Sequence, residues 1–151
     1  MPRLRRAAAV AAGTLATAAL LTACDKPPPK VTVLGGGKVV TISPSTYCWD
    51  AKHCPTTSRP DLPTLTVAAD AKVLIDVPRQ VQTRGWQARA LSLDGQQQLG
   101  SSGPITDSHS YKVPSGVANG AAFIVQVNEL SKGQPDGSAW SFLVKVSLTK
   151  S

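Results

Sequence analysis

Trp140-Ser141-Phe142-Leu143-Val144-Lys145-Val146-Ser147-Leu148-Thr149 has a period of two. Successive side chains of an extended chain point to opposite faces, so Trp140, Phe142, Val144, Val146 and Leu148 share one side and Ser141, Leu143, Lys145, Ser147 and Thr149 the other. A face of five large apolar groups predicts a strand laid against a core. Residues 121–130 repeat the pattern, with Phe123, Val125 and Val127 set against Gln126 and Asn128. Residues 72–77 do so with Val73, Ile75 and Val77, and residues 64–68 and 31–34 are shorter runs of β-formers. In residues 86–93, Trp86, Ala88 and Ala90 share one face and Leu91 and Leu93 the other. That predicts a bulge near Ala90 and a switch of the inward side.

The connectors fit strands. Gly35-Gly36-Gly37 joins 31–34 to 38–42, and Asp94-Gly95 predicts a two-residue hairpin because both residues tolerate positive φ. Gly103-Pro104, Pro114-Ser115-Gly116, Asn119-Gly120 and Pro135-Asp136-Gly137 read as further turns. No ten-residue stretch after position 24 carries a helical stripe. The fold expected for residues 31–151 is an all-β, immunoglobulin-like antiparallel β-sandwich of about seven to nine short strands.

Upstream, Arg3, Arg5 and Arg6 precede an uncharged run of Ala, Val, Gly, Thr and Leu, and Leu21-Thr22-Ala23-Cys24 reads as a bacterial lipobox. The run is shorter than the roughly 20 residues of a membrane-spanning helix, which favours cleavage. Residues 1–23 are then a signal peptide, and Cys24 is the lipidated N-terminal residue of an exported protein held on the outer face of the cell membrane by palmitate-type acyl chains. Residues 24–30, with Pro27, Pro28 and Pro29, form a stiff tether. The chain has 16 Lys and Arg against 9 Asp and Glu. Removal of the three arginines leaves 13 against 9, a net charge of +4 spread singly, which excludes the basic stripe of a nucleic-acid reader.

Cys48 and Cys54 are the remaining thiols, and export favours their oxidation to a disulfide that pins an otherwise patternless, proline-rich stretch. A metal site using Cys48, His53 and Cys54 is disfavoured: oxidation consumes both thiols, and no fourth ligand is evident. Asp107-Ser108-His109 has the residue types of a hydrolase triad, yet neighbours in one turn do not align nucleophile, base and orienter. Ser147-Leu148-Thr149-Lys150 matches Ser-x-x-Lys but falls at the end of a strand rather than opening a helix. Trp86 and Trp140 sit in alternating apolar patterns and read as core, whereas Trp49, beside Cys48, is the candidate exposed contact.

Leu-Thr-Ala-Cys-Asp-Lys-Pro at 21–27, the Cys48 and Cys54 pair, and Gly85-Trp86 followed by Leu93-Asp94-Gly95-Gln96-Gln97 resemble the actinobacterial lipoproteins grouped as domain of unknown function 2771. The resemblance implies an envelope lipoprotein and carries over no catalytic residues. The expectation is a membrane-anchored, non-enzymatic binding or interaction module without cofactor, metal or nucleic acid, whose partner is an envelope protein or wall polymer. Its alternatives are a small-ligand carrier or transporter accessory, which needs a deep apolar cavity, and an envelope hydrolase whose site forms only in three dimensions.

Overall fold

A computed structural model of the chain describes residues 26–50, 52–57, 61–114 and 122–147. Cys24 and the residues read as a signal peptide, the turns expected at 115–116 and 119–120, and residues 148–150 lie outside them. Nine strands occur among the described residues: β1 (Val31–Gly35), β2 (Lys38–Ile42), β3 (Thr64–Ala68), β4 (Lys72–Asp76), β5 (Trp86–Leu91), β6 (Gln98–Ser101), β7 (Ser110–Pro114), β8 (Phe123–Ser131) and β9 (Gln134–Ser147). A six-residue helix, α1 (Arg79–Arg84), joins β4 to β5.

The strands form two sheets, ordered β2-β1-β4-β7 and β3-β9-β8-β5-β6. Lettered as an immunoglobulin domain, β1, β4 and β7 take the places of A, B and E, and β5, β8 and β9 those of C, F and G. Trp86 then occupies the place of the buried tryptophan on strand C, fully enclosed. All pairings are antiparallel but one: β3 runs parallel to β9, with Leu65 opposite Val144. The alternation that predicted the strands also sets the core. Val31, Val33, Val73, Ile75, Trp86, Phe123, Val125, Val127, Trp140 and Val144 are inaccessible to solvent, as Trp86 and Trp140 were expected to be.

Three local expectations need correction. The register shifts between Ala90 and Leu91 as predicted, but the inward side does not switch. The strand ends at Leu91, and Leu93 is 59 % exposed. The adjoining connection is also longer than a two-residue turn: Ser92 N–H donates to Gln97 O, and the Asp94 carboxylate accepts from Gln96 N–H. Finally, Pro135-Asp136-Gly137 is not the β8–β9 turn. Lys132 (φ 53°) and Gly133 (φ 80°) make that turn, and β9 begins at Gln134. The helix α1 is a further departure, since its single buried apolar residue, Val81, leaves no stripe to read.

Inside β9, residues 136–138 form a bulge. Asn128 faces Ala139 and Leu130 faces Pro135, so three residues of β9 lie opposite Glu129 alone. The start of β1, the end of β2, α1, the β8–β9 turn and this bulge all gather at one end of the sandwich. Trp86 opposite Glu129 and the Leu130 N–H to Gly85 O bond tie α1 to β8 there.

Candidate functional site

That end is completed by residues 45–57. They carry no strand pattern in sequence, but the backbone closes a small hairpin: Tyr47 N–H donates to Pro55 O, Trp49 N–H to His53 O, and Thr57 N–H to Ser45 O. The Asp50 carboxylate caps its tip by accepting from the N–H groups of Lys52 and His53 at 2.8 and 2.9 Å. A disulfide joins Cys48 to Cys54 and locks the two arms. The hairpin docks on the β9 bulge. Ala139 exchanges backbone bonds with Thr46 and accepts from Ser45, while Cys48 N–H donates to Ser138 Oγ at 3.0 Å. The bulge must carry glycine at its centre, because a Cβ on Gly137 (φ 102°) would fall 2.9 Å from Cys48 Sγ.

Trp49 stands on this hairpin, 43 % exposed. It is rigidly mounted. Its ring meets Tyr47 edge-on at 4.8 Å, Tyr47 meets Trp140 at 6.1 Å, and Trp140 Nε1–H donates to Pro29 O at 2.9 Å in the core. A series of aromatic contacts thus runs from the surface to the segment that precedes β1. Pro29 is itself buried, so the proline run is not a free spacer.

Trp49 is a ridge between two open grooves. One, of about 540 Å³, is walled by Trp49, Asp50, Arg84, Leu130, Lys132 and Asp136. The other, of about 300 Å³, is walled by Lys26, Pro28, Pro44, Tyr47, Trp49 and Pro55. A third groove, of about 250 Å³, lies away from Trp49, between β5–β6 and β7, with Leu99, Tyr111 and Val113 in its wall. All three are open to solvent. Large side chains, among them Trp86, Trp140, Phe123 and Phe142, fill the space between the sheets.

Glu129 lies behind the first groove. Its side chain is 1 % exposed; one oxygen lies 3.3 Å from Arg84 Nη1, and the other, Oε2, has no hydrogen-bond partner. Burial pushes its carboxyl up to about 7 against the opposing pull of Arg84, with Asp136 adding to the rise. Burial and then the Glu129 carboxylate also raise the Tyr47 phenol. Sequence reasoning missed this residue, although a signal was present. Residue 129 continues the inward series 123, 125, 127, so the period of two had already aimed the chain's one glutamate at the core.

The residues weighed for hydrolysis are not assembled. Ser108 Oγ donates to Ser110 O, and His109 Nε2 lies 3.6 Å from Asp76 Oδ1 on β4. Neither Asp107 nor His109 lines any of these three grooves. Cys48 and Cys54 are bonded to each other, and no cluster of three His, Cys, Asp or Glu side chains able to hold a metal occurs among the described residues.

A family model described as a protein of unknown function (DUF2771) matches residues 24–138. The chain belongs to this family. The matched span runs from Cys24 through the disulfide hairpin and into the β9 bulge, so in this DUF2771 chain it includes both walls of the Trp49 ridge. No curated protein matches the chain.

Proposed function

We propose that this DUF2771 protein is a lipid-anchored envelope lipoprotein that acts as a non-catalytic binding module, with Trp49 and its flanking grooves as the contact surface. The anchor reading rests on Arg3, Arg5 and Arg6, the uncharged run after them, and Leu21-Thr22-Ala23-Cys24. A disulfide between Cys48 and Cys54 fits an exported chain. The observation that carries the binding reading is the mounting of Trp49. A large aromatic left 43 % exposed is held by an edge contact, a disulfide-closed hairpin and a bulge in the last strand. Loops held this firmly present contact surfaces at low entropic cost. Envelope proteins and wall polymers are the partner classes this reading carries forward from the sequence, and the bilayer itself is a third.

Two measurements test it. Metabolic labelling with an alkyne fatty acid should mark the protein in membranes, and Cys24→Ser should lose both label and membrane retention. A label that persists in that variant would refute the anchor. A photo-crosslinking amino acid at position 49 in intact cells should form adducts that the same group at position 93, at the far end, does not. Absence of adducts at 49 would refute the contact surface.

A further inference from the structure

We infer that the Trp49 end of the sandwich is a second membrane contact, docking on anionic phospholipid headgroups. This rests on the anchor proposed above and names what the contact surface meets. The described chain enters the domain at this end. Lys26 and Pro28 already wall the groove beside Trp49, and Pro29 is fixed through Trp140. Only one residue separates Lys26 from Cys24, a reach of roughly 7 Å at full extension. An acyl chain on Cys24 therefore does not hold the domain off on a spacer. It brings the Trp49 ridge to the headgroup layer, where indole rings are favoured.

The charges at this end are arranged for an anionic surface. Lys26, Lys30, Lys52, Arg79, Arg84 and Lys132 are cations of this end, all of them exposed, against the carboxylates of Asp50, Asp136 and Glu129. Asp76 stands at the end of β4 beside His109, and Asp25 is next to Lys26 in the sequence. Arg84 is paired with buried Glu129. Two of the aspartates are turned to backbone: Asp50 accepts from Lys52 and His53, and Asp136 Oδ1 accepts from Ser138 N–H at 2.7 Å. The four lysines have no carboxylate within ion-pair distance among the described residues. Cations flanking a rigid, half-exposed tryptophan next to an acyl anchor supply the two kinds of interaction that stable attachment requires.

The test uses the chain from Cys24 onward with the 48–54 disulfide intact, so that Cys24 is its one free thiol and couples to a maleimide lipid in vesicles. This imposes the anchor whether or not the cell supplies it. Trp86 and Trp140 are fully buried, so quenching by brominated acyl chains reports Trp49. Quenching should appear in phosphatidylglycerol-containing vesicles, be weaker in pure phosphatidylcholine, and fade in about 0.5 M salt. In free protein carrying Cys24→Ser, each of Lys26→Glu, Lys52→Glu and Lys132→Glu should lower partitioning onto phosphatidylglycerol vesicles about fivefold or more. Variants are compared only where their melting curves match the parent. Trp49 emission unaffected by brominated lipid in the coupled protein would overturn the second contact while leaving lipidation standing. Equal quenching on both vesicle types would overturn the recognition of anionic lipid. Failure of fatty-acid labelling in cells, with quenching intact on vesicles, would instead overturn the anchor.

Discussion

Arg84 Nη1 lies 3.3 Å from a carboxylate oxygen of Glu129, and the two side chains differ sharply in setting: the guanidinium is half in solvent and the carboxylate is sealed beneath it. The pair therefore cannot offset the full cost of burying charge, which is why the Glu129 carboxyl titrates near 7 rather than at its ordinary 4.5. Between those values the native state holds more protons than the unfolded chain, so stability falls as pH rises. The stabilising contribution is complete below about pH 4.5, is lost through about pH 7, and amounts to about 3 kcal/mol. Urea titrations across this range should show the slope, and Glu129→Gln should flatten it and leave the variant more stable than the parent at about pH 8. An unchanged slope in Glu129→Gln would assign it to another group.

Gly137→Ala should destabilise the fold by about 1–3 kcal/mol, because the left-handed conformation and the Cys48 sulfur 2.9 Å away both oppose a Cβ. In a Cys48→Ser, Cys54→Ser background the cost should shrink, since the hairpin is then free to retreat. A double-mutant cycle on urea midpoints measures the coupling.

Loss of the disulfide closes off less than its position suggests. The cysteines are six positions apart, so the loop-entropy contribution is about 2 kcal/mol. Reduction should lower the urea midpoint by a matching amount without unfolding the sandwich, and should raise the mobility of Trp49 as read by fluorescence anisotropy. Intact mass with and without reductant checks the starting redox state.

Val144→Asp should abolish folding. Val144 is fully enclosed, between Phe123 on β8 and Leu65 on β3, and an unpaired carboxylate there costs several kcal/mol out of a stability of about 5–15. A melting curve like that of the parent would mean that the faces of β9 are reversed.

The sandwich was legible because its core strands obey local rules. Phe123, Val125 and Val127, and Trp140, Phe142 and Val144, alternate without interruption, and burial on one face follows directly. What escaped depends on distant partners. The parallel pairing of β3 with β9 leaves no mark in residues 64–68. The hairpin at 45–57 is ordered by Ala139 and Ser138, about ninety positions away along the chain. The strand β9 runs through Pro135, Asp136 and Gly137 because the bulge receives Cys48, so residues that normally end a strand here shape a socket. Trp49 was picked out from its neighbourhood alone, but its two grooves, and Glu129 behind one of them, required the fold.

The bond from Trp140 Nε1 to Pro29 O spans 111 positions of sequence and joins the entering chain to the final strand. A pull on the chain upstream of Lys26 is consequently shared. Tension reaches β1 along the backbone and, through Pro29, passes across to β9 in the opposite sheet. Both sheets are then loaded together through one buried hydrogen bond, so β1 is not the sole strand to take up a pull from the side on which the chain enters.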